Sequence, residues 1–185
     1  MTVSYGLSMS LAEHAQVLQA EANQLLDQLD LPTAFPWRAQ VIGSALSGLM
    51  VLRDLDVMFD APDATAVHVL TGLATLAERA ELFAVDFRDE RGDRRPTPRL
   101  TDERFYAVLR VNDVWKVDLT FWLHVVERPH VPDALRLRAA SDDQRLTILR
   151  LKHECPDYPN TIGGSDIYTA VLERGVQTVD ELPAK

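Results

Sequence analysis

Two aspartates separated by a single leucine, Asp54 and Asp56, are the residues of this chain best suited to chemistry. They open an apolar run, residues 54–59, whose composition favours a strand. On a strand, residues two apart project from the same face, so both carboxylates point the same way. Neighbouring carboxylates repel each other unless a cation lies between them, and hard oxygen ligands suit Mg²⁺. The pair therefore predicts a site for a divalent metal ion.

A glycine–serine pair, Gly43 and Ser44, precedes these aspartates and follows the apolar residues Val41 and Ile42. This pattern predicts a strand that ends in a turn and continues as a short helix. The free N–H groups at the start of a helix attract phosphate, and a glycine lets the backbone approach it closely. Two simpler interpretations stay open. Ser44 could be an ordinary helix cap, and the aspartates could belong to a solvent-facing edge strand.

Taken in order, these motifs resemble the nucleotidyltransferase superfamily, which includes DNA polymerase beta and the minimal and aminoglycoside nucleotidyltransferases. The family pattern is a strand ending in Gly-Ser, a spacer, an Asp-hydrophobic-Asp strand, and a third carboxylate on a later strand. Here the third carboxylate is Asp118, which lies between two hydrophobic residues. The resemblance covers residues 39–123 and includes Gly48, which completes the Gly-Ser-x-x-x-Gly form of small members.

The resemblance implies a metal-dependent transfer of a nucleoside monophosphate, AMP from ATP, to a hydroxyl of an aminoglycoside-like small molecule or of a protein. Asp54, Asp56 and Asp118 would be the catalytic residues and would ligate two Mg²⁺ ions, with Mn²⁺ as an alternative. Asp118 would also take the hydroxyl proton, and Gly43 and Ser44 would hold the phosphates of the nucleotide. The alternative is an antitoxin-like or degenerate interaction module that binds nucleotide without turnover.

Two basic residues, Arg53 and Lys152, are further candidates for nucleotide binding. Arg53 stands where small members of the family often carry Ser or Thr, and it could meet a phosphate or neutralise Asp54. Small members often send a lysine from the C-terminal helices to the triphosphate, and Lys152 is the candidate for that contact. For Lys152, a solvated helix face is the alternative.

Composition restricts the classes of partner. The net charge of −9 disfavours general nucleic-acid binding, because the phosphate backbone would be repelled. No apolar run reaches the length of a membrane span, and residues 1–4 lack the pattern of a signal peptide, so we expect a cytoplasmic protein without membrane contact. Cys155, the single cysteine, cannot form an internal disulfide. The oligomeric state is not readable from the sequence.

The order of elements predicts an α+β fold with a mixed sheet, helices packed on one face and a short C-terminal helical extension. Prolines at 129 and 132 suggest a division into a nucleotidyltransferase-like core with its N-terminal helix, residues 1–135, and the extension, residues 136–185. The arginine-rich residues 88–104 are predicted to form a long loop, either a lid over the site or solvated surface. Predicted strands cover residues 39–42, 54–59, 82–87, 105–111 and 114–123.

Overall fold

The chain begins with a long amphipathic helix whose start is fixed by a capping box. The computed structural model of the protein describes residues 9–182, so the outermost parts of both predicted units, residues 1–8 and 183–185, lie outside the described range. The hydroxyl of Ser10 accepts the N–H of Glu13, and the Glu13 carboxylate accepts the N–H of Ser10. These paired bonds satisfy N–H groups that the first helical turn leaves free. The start of the helix is therefore set by residues three positions apart in the sequence.

Seven α-helices and five strands make up residues 9–182. The strands form one mixed sheet in the order β1-β2-β5-β4-β3, in which β2 and β5 run parallel and the other neighbours run antiparallel. The strands are β1 (Ala39–Val41), β2 (Asp54–Asp60), β3 (Leu82–Glu90), β4 (Arg104–Val111) and β5 (Trp115–Trp122). The helices are α1 (Leu11–Leu29), α2 (Leu31–Ala34), α3 (Gly43–Ser47), α4 (Ala66–Ala77), α5 (His130–Arg138), α6 (Asp142–Glu154) and α7 (Gly164–Arg174).

One face of the sheet is apolar and forms the main core with α1, α2 and α4. Alternation along β2 and β5 produces this division, because every second residue of a strand points to the same face. Phe59 and Phe121, register partners on these strands, stack in the core with ring centroids 4.6 Å apart. The intervening polar residues of both strands are thereby directed to the opposite face. The predicted α+β fold with a mixed sheet is confirmed, and α1, α2 and α4 cover the apolar face of that sheet.

The helices α5, α6 and α7 follow the sheet and share a second apolar cluster, to which Ala15 of α1 and Leu49 also belong. Helix α6 starts at Ser141, whose hydroxyl accepts the N–H of Gln144, and α7 ends at Gly175 in the left-handed conformation. Among the described residues, no helix is both long and apolar enough to cross a bilayer.

Two features of the structure bear on the predicted organisation: the place of two prolines and the end of strand β3. Pro129 and Pro132, which suggested a division of the chain, stand at the N-cap and in the first turn of α5, where a missing N–H breaks no helical hydrogen bond. The proposed boundary between 135 and 136 falls within α5, and the division into two units stays a prediction. Strand β3 also continues to Glu90, so residues 88–90 pair with β4 and do not belong to the loop. Residues 88–90 are all charged, so the apolar composition that marks residues 82–87 as a strand ends before them.

Candidate functional site

The register between β2 and β5 brings the three predicted carboxylates together. Asp56 pairs with Asp118, and Asp54 pairs with Lys116. Because the strands are parallel neighbours, these four side chains project from the same polar face of the sheet. One carboxylate oxygen from each of the three aspartates lies within 4.8 Å of the others. The side chains predicted from separate motifs therefore form a single cluster.

Lys116 lies within this cluster, and sequence analysis missed it. Its Nζ donates to Asp54 Oδ1 at 3.1 Å and to Asp118 Oδ2 at 2.9 Å. Lys116 stands two residues before Asp118 on the same strand, so the alternation that pairs Asp54 with Asp56 also places this lysine beside the third carboxylate. The sequence therefore indicated its place beside Asp118, although not its contact with Asp54.

The two oxygens of Asp118 have different surroundings. Oδ2 accepts hydrogen bonds from the Tyr106 hydroxyl at 2.7 Å and from Lys116 Nζ. Oδ1 is buried and has no hydrogen-bond partner in residues 9–182. A buried polar atom without a partner costs free energy, so Oδ1 is an acceptor suited to a ligand from outside the chain.

The electrostatics of the cluster favour a bound cation. Burial, together with the negative charges of Asp54 and Asp118, raises the pKa of Asp56 to about 7. Burial also raises the pKa of Asp54, although Lys116 opposes this effect. A divalent cation would reverse both changes, because an opposite charge favours the ionised carboxylate. Three converging carboxylates, one with an unpartnered buried oxygen, therefore fit a hard divalent metal ion.

The turn at Gly43 is built against Asp56. Gly43 has φ +62°, and a Cβ at this position would lie 2.7 Å from Asp56 Oδ2. The neighbouring Ile42 N–H donates to the backbone oxygen of Asp56 at 3.0 Å. Position 43 therefore requires glycine for two reasons: its left-handed backbone conformation and the close approach of the Asp56 carboxylate to the turn.

The interpretation of Ser44 as a helix cap is wrong. Ile42 is the N-cap of α3, and Ser44 lies inside this five-residue helix. Within the described range, the Ser44 hydroxyl makes no hydrogen bond, while Ser47 donates to the backbone oxygen of Ser44 at 3.3 Å. The Ser44 hydroxyl thus remains free to contact a ligand.

Lys152 extends from α6 toward the cluster but forms no ion pair with its carboxylates within residues 9–182. Its side chain is buried, and Nζ donates to the Leu49 backbone oxygen at 2.7 Å and to the Tyr168 hydroxyl at 3.1 Å. Burial lowers the pKa of Lys152 to about 8, although the charges of Asp56 and Asp54 oppose this shift. The alternative of a solvated helix face is therefore wrong for this residue.

Two cavities meet at the carboxylates. The larger one, of about 560 Å³, lies over the polar face of the sheet beside α5 and α7, and Tyr106, Asp118 and Trp122 line it. The smaller one, of about 220 Å³, contains Ser44, Asp54 and Lys152 in its wall. Gly43, Asp56, Ser165 and Tyr168 line both cavities. A ligand in one cavity would therefore lie next to a ligand in the other.

Arg53 does not join the site. Its Nε and Nη2 donate to the carboxylate of Glu21 on α1 at 2.8 Å and 3.1 Å, and Arg53 lines neither cavity. Lys116 is instead the basic residue in contact with Asp54.

The arginine-rich segment forms exposed surface. Arg91 and Arg94 both form ion pairs with Asp89, and residues 91–103 line neither cavity. At the end of the segment, Arg104 pairs with Glu90 and lies 5.2 Å from the centre of the Trp122 ring, at the wall of the larger cavity. The structure thus favours the solvated-surface interpretation over a lid.

No protein-family model matches the sequence, and no curated protein matches it significantly. Among solved structures, the chain is similar to a cytoplasmic RNA terminal U-transferase, with a TM-score of 0.49 and 19% identity over 75% of this chain and 38% of that one. It is also similar to terminal uridylyl transferase 4 from Trypanosoma brucei with bound dUTP, with a TM-score of 0.47 and 16% identity over 95% of this chain and 66% of that one.

A third similar structure is the same trypanosomal enzyme with bound CTP, with a TM-score of 0.48 and 15% identity over 95% of this chain and 64% of that one. This chain spans less than two thirds of the length of each of the three. The structural neighbours are nucleotidyltransferases.

Proposed function

We propose that this protein is a metal-dependent nucleotidyltransferase that moves AMP from ATP to a hydroxyl group of a small molecule. The observation that carries the proposal is the convergence of Asp54, Asp56 and Asp118 where two cavities meet. Three carboxylates gathered in a partly buried cluster repel each other and lose hydration, so a purely structural domain would gain nothing from them. A bound metal ion would compensate this repulsion and could in turn bind a phosphorylated substrate.

The smaller cavity is suited to the triphosphate. Its wall contains the backbone turn at Gly43, the free hydroxyl of Ser44 and the buried ammonium of Lys152. Such donors recognise phosphate oxygens, and a hydrogen bond from a charged donor is about twice as strong as a neutral one. The triphosphate would then place its α-phosphate beside Asp56, which lines both cavities.

The larger cavity is suited to the acceptor. Asp118 lines it, whereas Asp54 and Lys152 line only the smaller one. Its volume of about 560 Å³ is typical of small-molecule sites, which supports a small molecule as the acceptor. A hydroxyl of a partner protein is the other acceptor that the sequence resemblance allows. The choice of ATP also comes from that resemblance.

The chemistry assigns separate tasks to the side chains. The acceptor oxygen attacks the α-phosphorus and forms a new P–O bond, while the bond to the bridging oxygen breaks and pyrophosphate leaves. Asp118 Oδ1 accepts the hydroxyl proton, and Tyr106 and Lys116 hold Oδ2 so that the carboxylate keeps its orientation. A divalent ion held by Asp54, Asp56 and Asp118 would, when bound, compensate the charge on the phosphoryl oxygens.

A nucleotide-binding module without turnover is the second candidate, and Lys116 is the observation that favours it. Its ammonium already compensates part of the charge of Asp54 and Asp118, so the cluster is less dependent on metal than three bare carboxylates. Such a module would bind a triphosphate and release no pyrophosphate.

Pyrophosphate release tests the proposal. The protein is incubated with each of the four ribonucleoside triphosphates, with MgCl₂ or MnCl₂, and with panels of aminoglycosides, other polyhydroxylated compounds and proteins. We expect release with ATP and a small-molecule acceptor, and a mass gain of one AMP on the product. Binding of ATP without release in any combination would support the second candidate. Failure to bind any triphosphate would overturn both.

A further inference from the structure

The position of Lys116 bears on the number of metal ions in the site. Its Nζ lies between the first and the third carboxylate: it donates to both oxygens of Asp54, at 3.1 and 3.2 Å, and to Asp118 Oδ2 at 2.9 Å. Because Lys116 is the register partner of Asp54, the strand pairing itself holds the ammonium there. The contact is therefore built into the central strands of the sheet and does not depend on a mobile loop.

An ammonium in this position performs part of the work of a metal ion. In two-metal sites, ions roughly 4 Å apart share bridging carboxylates and compensate the charge on both reacting oxygens. Lys116 compensates Asp54 and Asp118, whereas Asp56 forms no ion pair within the described residues. The space beside Asp56 thus remains for a divalent ion, while the space between Asp54 and Asp118 holds a cation of the chain itself.

We propose that Lys116 takes the place of the acceptor-side metal ion, so that the protein binds one divalent ion together with its nucleotide. This inference rests on the proposed function and differs from the two ions that the family resemblance implies. Lys116 is a positioning residue in this scheme. It fixes Asp118 through Oδ2, and Oδ1 stays free for the acceptor hydroxyl.

A second ion could enter only if Lys116 left its place. The ammonium would then lose its hydrogen bonds to Asp54 and Asp118, and its side chain would have to turn away from the polar face of the sheet. Removing the ammonium by substitution should instead open this position to a second metal ion, because Asp54 and Asp118 would then face each other without a cation. A second divalent ion should bind readily to that pair.

Counting bound Mn²⁺ tests the inference. The full chain is saturated with α,β-methylene-ATP, a triphosphate analogue that cannot transfer AMP, and MnCl₂ is added. Native mass spectrometry counts the ions in the ternary complex, and electron paramagnetic resonance detects spin coupling between neighbouring ions. We expect about one uncoupled Mn²⁺ per complex in the wild type and about two coupled ions in Lys116→Met, as in two-metal sites.

Two variants serve as controls. Lys116→Arg keeps a cation on the pair and should stay at about one ion, as the native lysine does. Arg110→Met removes an exposed charge from the register partner of Lys116 on β4, and it should also stay at about one ion, because Arg110 makes no ion pair with the carboxylates among the described residues. If Lys116→Met fails to fold, the wild type and Lys116→Arg still carry the test.

Each other outcome overturns the inference. Two coupled ions in the wild type would show that Lys116 is displaced, while the proposed metal-dependent function would stand. An unchanged ion count in a folded Lys116→Met variant would show that the ammonium occupies no metal position. Nucleotide binding without any Mn²⁺ would overturn the inference together with the metal-dependent function.

Discussion

Asp56 and Asp118 are direct register partners on the parallel strands β2 and β5. Three residues further along the same pair of strands, Phe59 and Phe121 are also partners, and their rings stack in the core. A slip of one residue between the strands would turn one carboxylate toward the core and one aromatic ring toward the cavity. Apolar packing on one face therefore fixes the geometry of the polar site on the other.

Loss of the third carboxylate should separate turnover from binding. Asp118→Asn is expected to lower the rate of AMP transfer by about a hundredfold or more, because the site loses a positioned base and metal ligand. Nucleotide affinity, measured by calorimetric titration, should stay within a few-fold, since Ser44 and Lys152 are unchanged. Tyr106→Phe is the matched control: it removes one hydrogen bond to Oδ2 and keeps the base, so its rate should fall less. A full rate in Asp118→Asn would remove Asp118 from the mechanism.

The metal-free protein should become less stable as the pH rises through neutrality. Burial raises the pKa of Asp56 from 3.8 to about 7 in the folded state. The protonated form of Asp56 therefore stabilises the folded state. This stabilisation is complete below the unfolded-state pKa of 3.8 and is lost as the pH rises through the folded-state pKa of about 7. Asp56→Asn lacks this component. The Tm of the variant minus that of the wild type should therefore be a few degrees larger at pH 8 than at pH 5.5.

Thermal melts of both proteins in a chelator at the two pH values make this comparison. Asp86→Asn is the control, because Asp86 is an exposed carboxylate of β3 that pairs with Arg88, and its substitution should not reproduce the effect. A Tm difference between Asp56→Asn and the wild type that is equal at both pH values would contradict the prediction.

A methyl group at Gly43 should disturb the metal site as well as the backbone. Gly43→Ala forces an alanine into φ +62° and places its Cβ 2.7 Å from Asp56 Oδ2. Gly175→Ala imposes a similar φ of +68° with no atom within 4 Å of the added Cβ. Both variants should lose about 1–2 kcal/mol of stability from the left-handed conformation. Only Gly43→Ala should also weaken Mn²⁺ binding, and equal affinities in the two variants would exclude the proposed contact with Asp56.

The free hydroxyl of Ser44 should serve the nucleotide rather than the fold. Ser44→Ala is expected to leave Tm nearly unchanged and to weaken ATP binding by about tenfold, in line with one charge-assisted hydrogen bond. Ser47→Ala should do the reverse, because the buried Ser47 hydroxyl donates to the Ser44 backbone oxygen and its loss costs about 1 kcal/mol. Chemical denaturation and calorimetry on both variants test the pair. If Ser44→Ala binds ATP as the wild type does, the hydroxyl has no part in the phosphate site.

Two basic residues of α6, Arg145 and Lys152, should also differ in function: one should serve the fold and the other the nucleotide. Arg145 donates to the backbone oxygens of Ser47 and Gly48, which ties α6 to the end of α3, and Arg145→Met should mainly lower Tm. Lys152→Met should mainly lower ATP affinity, by about tenfold or more, because it removes a cation from the smaller cavity. Equal ATP affinity in the two variants, after correction for the folded fraction, would exclude a direct contact between Lys152 and the triphosphate.

The sequence by itself determined the strands, most of the helices and most of the cluster, whereas α5 was not predicted. Capping at Ser10 and Ser141 and the turn at Asn112 and Asp113 depend only on residues a few positions apart, so local sequence specifies them. The same holds for the shared face of Asp54 and Asp56, which follows from the alternation of a strand. The role of Asp118 came from family resemblance, because no local rule connects it to residues sixty positions earlier.

Only the tertiary structure decided which charged side chains meet. Arg53 stands next to Asp54 in the sequence, yet it pairs with Glu21, whereas Lys116 is distant in the sequence and contacts Asp54 directly. Lys152 is a charged residue on a helix, yet it is buried against Leu49. These partners depend on strand register and on helix docking. The whole apolar core sets both of these, so no stretch of sequence near the charged residue contains that information.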